Sequence, residues 1–210
     1  MKKIRLLFGS RFLIRRLQAR FIIKETSNIE ADTVLDIGVG KAPYKKFIRC
    51  RKYLGLDIED RGGVKDVIIA DINDGIPLKD ASVDLVLFTE VLEHIKEPAR
   101  ALREINRVLK PEGKLIMTTP FAWLVHEAPN DFYRYTRFGL EHLLKGSGFH
   151  KIEIRASNSY LYTIFQLLNA NLRNKLFIPL VFLFNISGLI LKEISKNKDF
   201  PLNYYVVTSK

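Results

Sequence analysis

The sequence predicts an α/β protein in which a mostly parallel sheet is covered by helices on both faces. Short β-rich segments recur along the chain, and apolar residues dominate them, as expected for strands that are buried on both faces. Helical segments separate several of these strands, which is the alternation that parallel sheets require. The composition agrees, because 47% hydrophobic and 27% charged residues in a 210-residue chain are typical of a globular domain.

The predicted elements begin at Thr33. The strands are short and lie at 33–37, 53–58, 67–69, 83–88, 114–119, 150–155 and 204–208. Three helices are predicted, at 44–50, 98–109 and 136–147. Pro98 suits the first turn of the second helix, and Thr136 is a candidate N-cap of the third. Parallel strands place their carboxyl ends at one edge of the sheet, where open sheets bind ligands.

Basic residues are concentrated near the N-terminus. The chain has 34 Lys and Arg against 23 Asp and Glu, and its first 24 residues hold eight basic residues and no acid. We predict a basic amphipathic helix in 1–28 and the main domain in 29–210. One helical stripe holds the apolar residues Leu6, Leu7, Leu13, Ile14, Leu17 and Phe21. We expect this stripe either to lie on an anionic lipid surface or to pack on its own domain or on a second copy in a homodimer.

A helical insertion is predicted at 158–198, before the last strand. Its segment 176–191 carries no charge, yet sixteen helical residues span only about 24 Å, less than a bilayer core of about 30 Å. Basic residues flank the segment: Arg173, Lys175, Lys192, Lys196 and Lys198. This layout favours a helix lying in a membrane surface, with a cap over the site or a dimer interface as the alternatives.

Cysteine and histidine usage constrains the compartment and the metal chemistry. Cys50 is the single cysteine, which excludes an intrachain disulfide and favours a reducing compartment. Arg residues interrupt the apolar runs near the N-terminus, so no secretory signal is predicted. The four histidines are scattered in the sequence, so no metal site is predicted. We expect a cytoplasmic protein on the inner face of the cell membrane.

A glycine-containing turn follows the first predicted strand. The segment Asp36-Ile37-Gly38-Val39-Gly40 leaves that strand, and glycines at 38 and 40 permit a tight turn and a close ligand approach. Such turns also bind dinucleotides, but the third glycine of that fingerprint is replaced by Pro43. Asp57, at the end of the second strand, is placed to accept hydrogen bonds from the two hydroxyls of a ribose.

Two further segments follow strands at the same edge. Asp71 can accept a hydrogen bond from an adenine amine, with Ile72 against the ring. Thr89 and Glu90 end the fourth strand. Each residue also has a purely structural interpretation, since Asp57 suits a helix cap and Asp71 a turn. Their order and spacing together favour a nucleoside-containing ligand.

At this point the sequence resembles the class I methyltransferases that use S-adenosylmethionine. The resemblance rests on LDIGVG, on LGLDIE, and on IPLKDASVDLVLFTEVLEHI followed by LREINRVLKPEGKLIMTTP, over roughly 33–155. It implies a Rossmann-like, seven-stranded sheet whose last strand runs antiparallel. Many members have a third glycine where this chain has Ala42.

The resemblance also implies roles for individual residues. Asp36, Gly38 and Gly40 would shape the pocket for the methionine end of S-adenosylmethionine, and Asp57 would hold its ribose. Asp71 and Ile72 would flank the adenine, and Thr89 and Glu90 would line the region below the sulfonium. The reaction would be an in-line methyl transfer, in which positioning and removal of the acceptor proton matter most.

The acceptor is predicted to bind the segment Phe121–Tyr135, which follows the fifth strand. His126 is the first candidate for a general base, with Asp131 to orient it and Arg134 to bind a phosphate or carboxylate. Trp123, Tyr133 and Tyr135 are the candidates for substrate stacking. His94 is the rival base. The alternative is that His126 caps a loop and that Arg134 pairs with Asp131 or Glu127.

The pattern from His126 to Thr136 is similar to a type 11-like methyltransferase subgroup of bacterial surface-polysaccharide gene clusters. That resemblance implies a small-molecule, glycan or lipid-linked glycan acceptor. Methylation of a quinone or lipid, and a non-catalytic cofactor-binding module, are the alternatives. Nucleic acid is not expected as a partner, because Thr89-Glu90-Val91-Leu92 stands where nucleic-acid methyltransferases have an Asn/Asp-Pro-Pro-Tyr/Phe tetrad.

Overall fold

The computed structural model of the chain describes residues 7–172, 174–191, 194 and 197–210, apart from the side chain of Lys175. The strands in this part are β1 Glu30–Ile37, β2 Arg49–Asp57, β3 Asp66–Ile69, β4 Val83–Thr89, β5 Leu109–Pro120, β6 His150–Ala156 and β7 Asn203–Ser209. The helices are α1 Phe12–Thr26, α2 Pro98–Val108, α3 Arg137–Gly146, α4 Tyr160–Asn171 and α5 Ile178–Leu191. Some residues named above lie outside the described part: Leu6, Arg173, Lys192 and Lys196.

The seven strands form one sheet in the order β3-β2-β1-β4-β5-β7-β6. The first five strands pair in parallel, whereas β7 inserts between β5 and β6 and pairs antiparallel with both. The predicted α/β fold, with its Rossmann-like sheet and antiparallel last strand, is confirmed. The carboxyl ends of β1, β2, β3, β4 and β5 therefore share one edge.

The central strands are buried on both faces, because consecutive side chains point to opposite sides of a sheet. Leu35 and Val86 belong to the core on the face that α2 and α3 cover. Val34 and Leu85 belong to the core on the opposite face, where Phe21 and Ile22 of α1 pack. Helices therefore cover both faces, as predicted.

One predicted helix is wrong. Residues 44–50 form only a short 3-10 turn, Lys45–Phe47, and β2 already begins at Arg49. Arg49 pairs with Glu30 of β1, so sheet pairing overrides the local helical tendency of the segment. The predicted cap of α3 is confirmed, because Thr136 Oγ1 accepts a hydrogen bond from Gly139 N at 3.1 Å.

The N-terminal helix packs on its own domain. It begins at Phe12, Leu13 of its apolar stripe is fully buried, and Phe21 stacks on Tyr205 with ring centroids 4.5 Å apart. Gln166 of α4 accepts a hydrogen bond from Ile14 N at 3.1 Å. The described stripe is therefore occupied by intramolecular contacts, which agrees with the alternative that it packs on its own domain.

The insertion consists of α4 and α5. Polar contacts join α5 to the segment just before α1. Asn185 of α5 donates to the carbonyl oxygens of Leu7 and Gly9, at 2.6 and 3.2 Å. Phe8 also stacks on Phe182 at 5.1 Å. None of the helices within the described ranges is both long and apolar enough to cross a membrane.

Candidate active site

The glycine turn after β1 has two positions that require glycine for different reasons. Gly38 has φ +68°, and a Cβ there would lie 2.3 Å from Cγ2 of Val91. Gly40 has φ +48°, and a Cβ there would meet no atom within 4 Å. Both backbones are in the left-handed region that favours glycine. Gly38 thus permits tight packing, whereas Gly40 borders open space into which a ligand can approach the backbone.

Ala42 occupies the position where the resembling family often has a third glycine. Its φ is +46°, in the left-handed region, and its N–H donates to Val39 O at 2.8 Å. The side chain is buried in the core beneath the turn. The turn therefore keeps its conformation with alanine at this position.

Asp57 ties the glycine turn to the end of β2. Its carboxylate accepts hydrogen bonds from Gly40 N at 2.9 Å and from Ile58 N at 2.8 Å. A carboxylate can accept about four hydrogen bonds, so lone pairs remain for two further donors. The residue is 8% exposed. A carboxylate that can accept two more hydrogen bonds, next to the accessible backbone of Gly40, suits the paired hydroxyls of a ribose. The residues present therefore fit S-adenosylmethionine.

Asp36 lies beneath the turn and is almost fully buried. Tyr53 donates its hydroxyl to Asp36 Oδ2 at 2.6 Å. Burial raises the pKa of Asp36 to about 7; the Tyr53 hydrogen bond opposes this rise, and the charge of Asp57 adds to it. The carboxyl group is therefore close to its ionisation point near neutral pH, and a cationic group bound nearby would favour the ionised form.

The predicted adenine contacts differ in accessibility. Asp71 is exposed and accepts from the backbone and side-chain nitrogens of Asn73, both at 2.8 Å. Ile72 is only 4% exposed and packs in the main core, which leaves it little surface for a ligand. Ile58, next to Asp57, is 67% exposed. Ile58 was not predicted from the sequence as a candidate contact of the adenine. Its position directly after Asp57, the acid at the end of β2, was the signal that could have identified it.

Thr89 and Glu90 lie at the carboxyl end of β4, as predicted. Glu90 has φ +56°, a strained backbone for a non-glycine residue. Its Oε1 accepts from Thr118 Oγ1 at 2.7 Å and from Asn203 Nδ2 at 2.8 Å. Burial raises the pKa of Glu90, and these two hydrogen bonds oppose that rise. Glu90 thus links β4, β5 and β7 at the edge where the site lies.

Two histidines and a buried carboxylate meet at the same edge. Glu93 is fully buried, and its Oε1 lies 3.7 Å from His94 Nε2 and 3.9 Å from His126 Nε2. The two imidazole rings are 4.8 Å apart. Burial raises the pKa of Glu93 well above its ordinary value, and the charge of Glu90 raises it further. Both histidines were predicted from the sequence as candidate bases, whereas Glu93, which the fold buries beside them, was not.

Asp131 and Arg134 hold the segment that follows β5. Arg134 donates to both carboxylate oxygens of Asp131, at 2.6 and 2.7 Å, which holds the pKa of Asp131 well below its usual range. Asp131 Oδ2 also accepts from His126 N at 2.9 Å and lies 3.3 Å from His126 Nδ1. Asp131 is therefore placed to orient His126, whereas Arg134 is engaged within the protein.

The three aromatic candidates differ in exposure. Tyr133 is 38% exposed and donates its hydroxyl to Lys96 O at 3.1 Å. Trp123 packs against the cluster formed by Leu13 and Tyr162. Tyr135 is buried, with its hydroxyl 3.3 Å from Leu92 O. Tyr133 is thus the most accessible of the three, and Tyr135 belongs to the core.

The fold is that of class I S-adenosylmethionine-dependent methyltransferases. A methyltransferase from Archaeoglobus fulgidus is similar with a TM-score of 0.63 at 17% identity, over 94% of this chain and 93% of that one. Phosphoethanolamine N-methyltransferase 2 of Haemonchus contortus, solved with S-adenosyl-L-methionine, also gives 0.63, at 18% identity, over 92% of this chain and 52% of that one. At these identities the similarity shows the fold.

Sequence comparisons agree with the fold. Residues 35–117 match the family described as "Methyltransferase domain". A "probable S-adenosylmethionine-dependent methyltransferase" of Mycobacterium tuberculosis is 33% identical over 100 residues, which are 43% of this chain and 36% of that protein. Residues 35–117 thus match a methyltransferase domain family, and S-adenosylmethionine is the cofactor that the similar proteins support. The chain spans less than half the length of the curated relatives compared with it.

Proposed function

We propose that this chain transfers a methyl group from S-adenosylmethionine to a hydroxyl of a small-molecule, glycan or glycolipid acceptor at the cytoplasmic face of the membrane. The observation that carries this proposal is the position of His126. Its Nε2 faces the buried carboxylate of Glu93, and its Nδ1 lies 3.3 Å from Asp131. A histidine oriented by a carboxylate suits the removal of a proton from a hydroxyl.

The predicted cofactor turn and the histidine cluster are close in the fold. Gly38 packs against Val91, which immediately precedes the 3-10 turn Leu92–His94. The cofactor supplies the methyl group, on a sulfonium that needs no activation by the protein. The chain orients the acceptor, and His126 Nε2 accepts the hydroxyl proton. Asp131 holds the imidazole ring, and its carboxylate stabilises the charged form of that ring.

We expect His126→Gln to lower the methyl-transfer rate by about 10²- to 10⁴-fold, the usual contribution of a positioned base. S-Adenosylmethionine affinity should change little, because His126 lies outside the glycine turn. The measurement follows label from methyl-labelled cofactor into a membrane glycan and lipid extract. His142→Gln, on the exposed surface of α3, is the matched control.

A wild-type rate in His126→Gln would contradict the assignment of the base. If the folded wild-type chain bound the cofactor and transferred no label to any extract, the non-catalytic module would be favoured. Label recovered in quinones rather than in glycans would favour the alternative quinone or lipid acceptor.

The membrane location is supported by an exposed apolar row on the insertion. Leu183 is 56% and Ile190 66% exposed, and their spacing of seven residues keeps them on one side of α5; Leu176, 78% exposed, lies in the 3-10 turn just before α5. The opposite side of α5 packs on the N-terminal segment through Asn185 and Gly188. The exposed cations Arg11, Arg15 and Arg20 of the N-terminal region add attraction to anionic lipid.

We expect the full chain to bind vesicles rich in phosphatidylglycerol, and Leu183→Ser or Ile190→Ser to weaken that binding by about tenfold each, since each loses apolar burial. Flotation of vesicles with bound protein measures the effect. Phe138→Ser removes a 77% exposed apolar side chain on α3 and should leave binding unchanged. Absence of binding together with a concentration-dependent dimer in light scattering would instead assign this row to a homodimer interface.

A further inference from the structure

We propose that Glu93, His94 and His126 bind one divalent transition-metal ion of the zinc class. Glu93 Oε1 lies 3.7 Å from His94 Nε2 and 3.9 Å from His126 Nε2, and the three ligand atoms lie within 4.8 Å of one another. Zinc binds such ligands tetrahedrally at about 2.0–2.2 Å, so two ligands of one ion lie about 3.3–3.6 Å apart. Both carboxylate–histidine distances are a few tenths of an ångström longer than this, and small rotations of the rings would bring all three atoms onto one ion.

The buried carboxylate is the main argument. Glu93 is 0% exposed, and neither of its oxygens has a hydrogen-bond partner within the part of the chain that the structure describes. A buried carboxyl group whose oxygens lack hydrogen-bond partners is costly in a protein interior, and natural proteins pair such groups with a cation or a metal. Its Oε1 lies near the two imidazole nitrogens, and the charge of the Arg134 guanidinium also acts on this carboxyl group.

The outer contacts of the two histidines point their lone pairs at Glu93. His94 Nδ1 lies 2.6 Å from Asn130 O, and because a carbonyl only accepts, Nδ1 carries the proton. His126 Nδ1 similarly lies 3.3 Å from both Asp131 Oδ2 and Leu124 O. Both Nε2 atoms are then acceptors, and three acceptors converge on one point. Such histidines, oriented through their other nitrogen by a carbonyl or a carboxylate, are characteristic of metal sites.

The donor set selects the class of ion. Two imidazole nitrogens and one carboxylate suit Zn²⁺ and neighbouring transition ions, whereas Mg²⁺ prefers oxygen ligands. Glu127 Oε2 lies 3.8 Å from His94 Nε2 on a side chain that is 70% exposed, so a fourth ligand can approach from the solvent side. The same side is open to an oxygen of an acceptor.

One consequence for catalysis rests on the proposed function. A bound ion that coordinates the acceptor hydroxyl would lower the pKa of that hydroxyl and make it a better nucleophile. His126 is then a metal ligand, whereas in the metal-free protein the same nitrogen is the base proposed above. These two roles exclude each other, and a metal-binding measurement decides between them independently of any acceptor.

The test is a Zn²⁺ titration of the full chain after chelator treatment and dialysis, with metal content measured by emission spectroscopy. We expect one Zn²⁺ per wild-type chain and at least about a hundredfold loss of affinity in Glu93→Gln and in His126→Gln. Asp131→Asn, which weakens the outer contact of His126 together with the Arg134 pair, should lose about 10- to 100-fold in affinity. His142→Gln should bind as the wild type does, and circular dichroism should show that each variant is folded.

A folded wild-type chain that binds no Zn²⁺ would overturn the proposal, and so would equal binding by wild type, Glu93→Gln and His126→Gln. In either case, methyl transfer that persists in the presence of chelator would leave the proposed function intact with His126 as the base. Zinc binding that depends on Glu93 and His126, without any methyl transfer, would support the metal site and count against the proposed function alone.

Discussion

Asp57→Ala is expected to lower the affinity for S-adenosylmethionine by about 10²- to 10⁴-fold. Hydrogen bonds to a charged group contribute about 1.5–3 kcal/mol each, and two ribose hydroxyls would lose theirs, a total of about 3–6 kcal/mol. The substitution also releases Gly40 N and Ile58 N, both of which now donate to this carboxylate. Calorimetry with the purified chain measures the change.

Asp66→Ala is the matched control for this experiment. Asp66 is exposed and begins the edge strand β3, where it pairs with Leu54 and not with a residue at the carboxyl end of β2. Its loss should leave cofactor affinity unchanged. Asp57→Asn keeps an oxygen acceptor but not the charge, so its affinity for S-adenosylmethionine should lie between those of Asp57→Ala and Asp66→Ala. Equal affinity in Asp57→Ala and wild type would show that the ribose is held elsewhere.

Gly38→Ala and Gly40→Ala are expected to fail in different ways. At Gly38 the added Cβ would lie 2.3 Å from Val91 Cγ2, with φ +68°. The left-handed backbone costs about 1–2 kcal/mol, and overpacking costs about 1–3 kcal/mol more. We therefore expect the free energy of unfolding to fall by about 2–5 kcal/mol, as measured in urea.

At Gly40 the added Cβ meets no protein atom within 4 Å, so only the backbone cost of about 1–2 kcal/mol applies to stability. The methyl group would instead project into the space where the cofactor approaches, so calorimetry should show the larger defect. A Gly40→Ala protein that binds S-adenosylmethionine as the wild type does would mean that the cofactor lies elsewhere.

The sequence was sufficient to predict where the candidate cofactor residues lie in the fold, because the signals for these positions are local. Gly38, Gly40 and Asp57 each stand at the end of a strand or in the turn after it, and parallel topology brings strand ends together. The order and spacing of these residues in the sequence are therefore enough to predict that they lie close together in the fold. The same locality explains why the cap at Thr136 was predicted correctly.

The acceptor half depends on contacts that are distant in sequence. Glu93 turns inward because the backbone N–H groups of Phe132 and Tyr133 donate to its carbonyl oxygen, at 2.9 and 3.3 Å, which closes the later segment over it. No sequence pattern near Glu93 indicates that this later segment buries its side chain. Tyr135 lies in the core for the same reason, since the segment that carries it folds back onto Leu92.

The contacts of α1 have a consequence for the order in which the protein can assemble. Ile14 bonds to Gln166, and Phe21 stacks on Tyr205, so the partners of this helix are translated long after the helix itself. At about 5–20 residues per second, the interval is about 10–40 s. During this interval the nascent chain presents a basic, apolar helix without its intramolecular cover. The emerging chain therefore passes through a stage in which the exposed apolar and basic side chains of this helix can bind acidic surfaces or chaperones. Synthesis of β7 supplies the missing intramolecular contact and ends that stage.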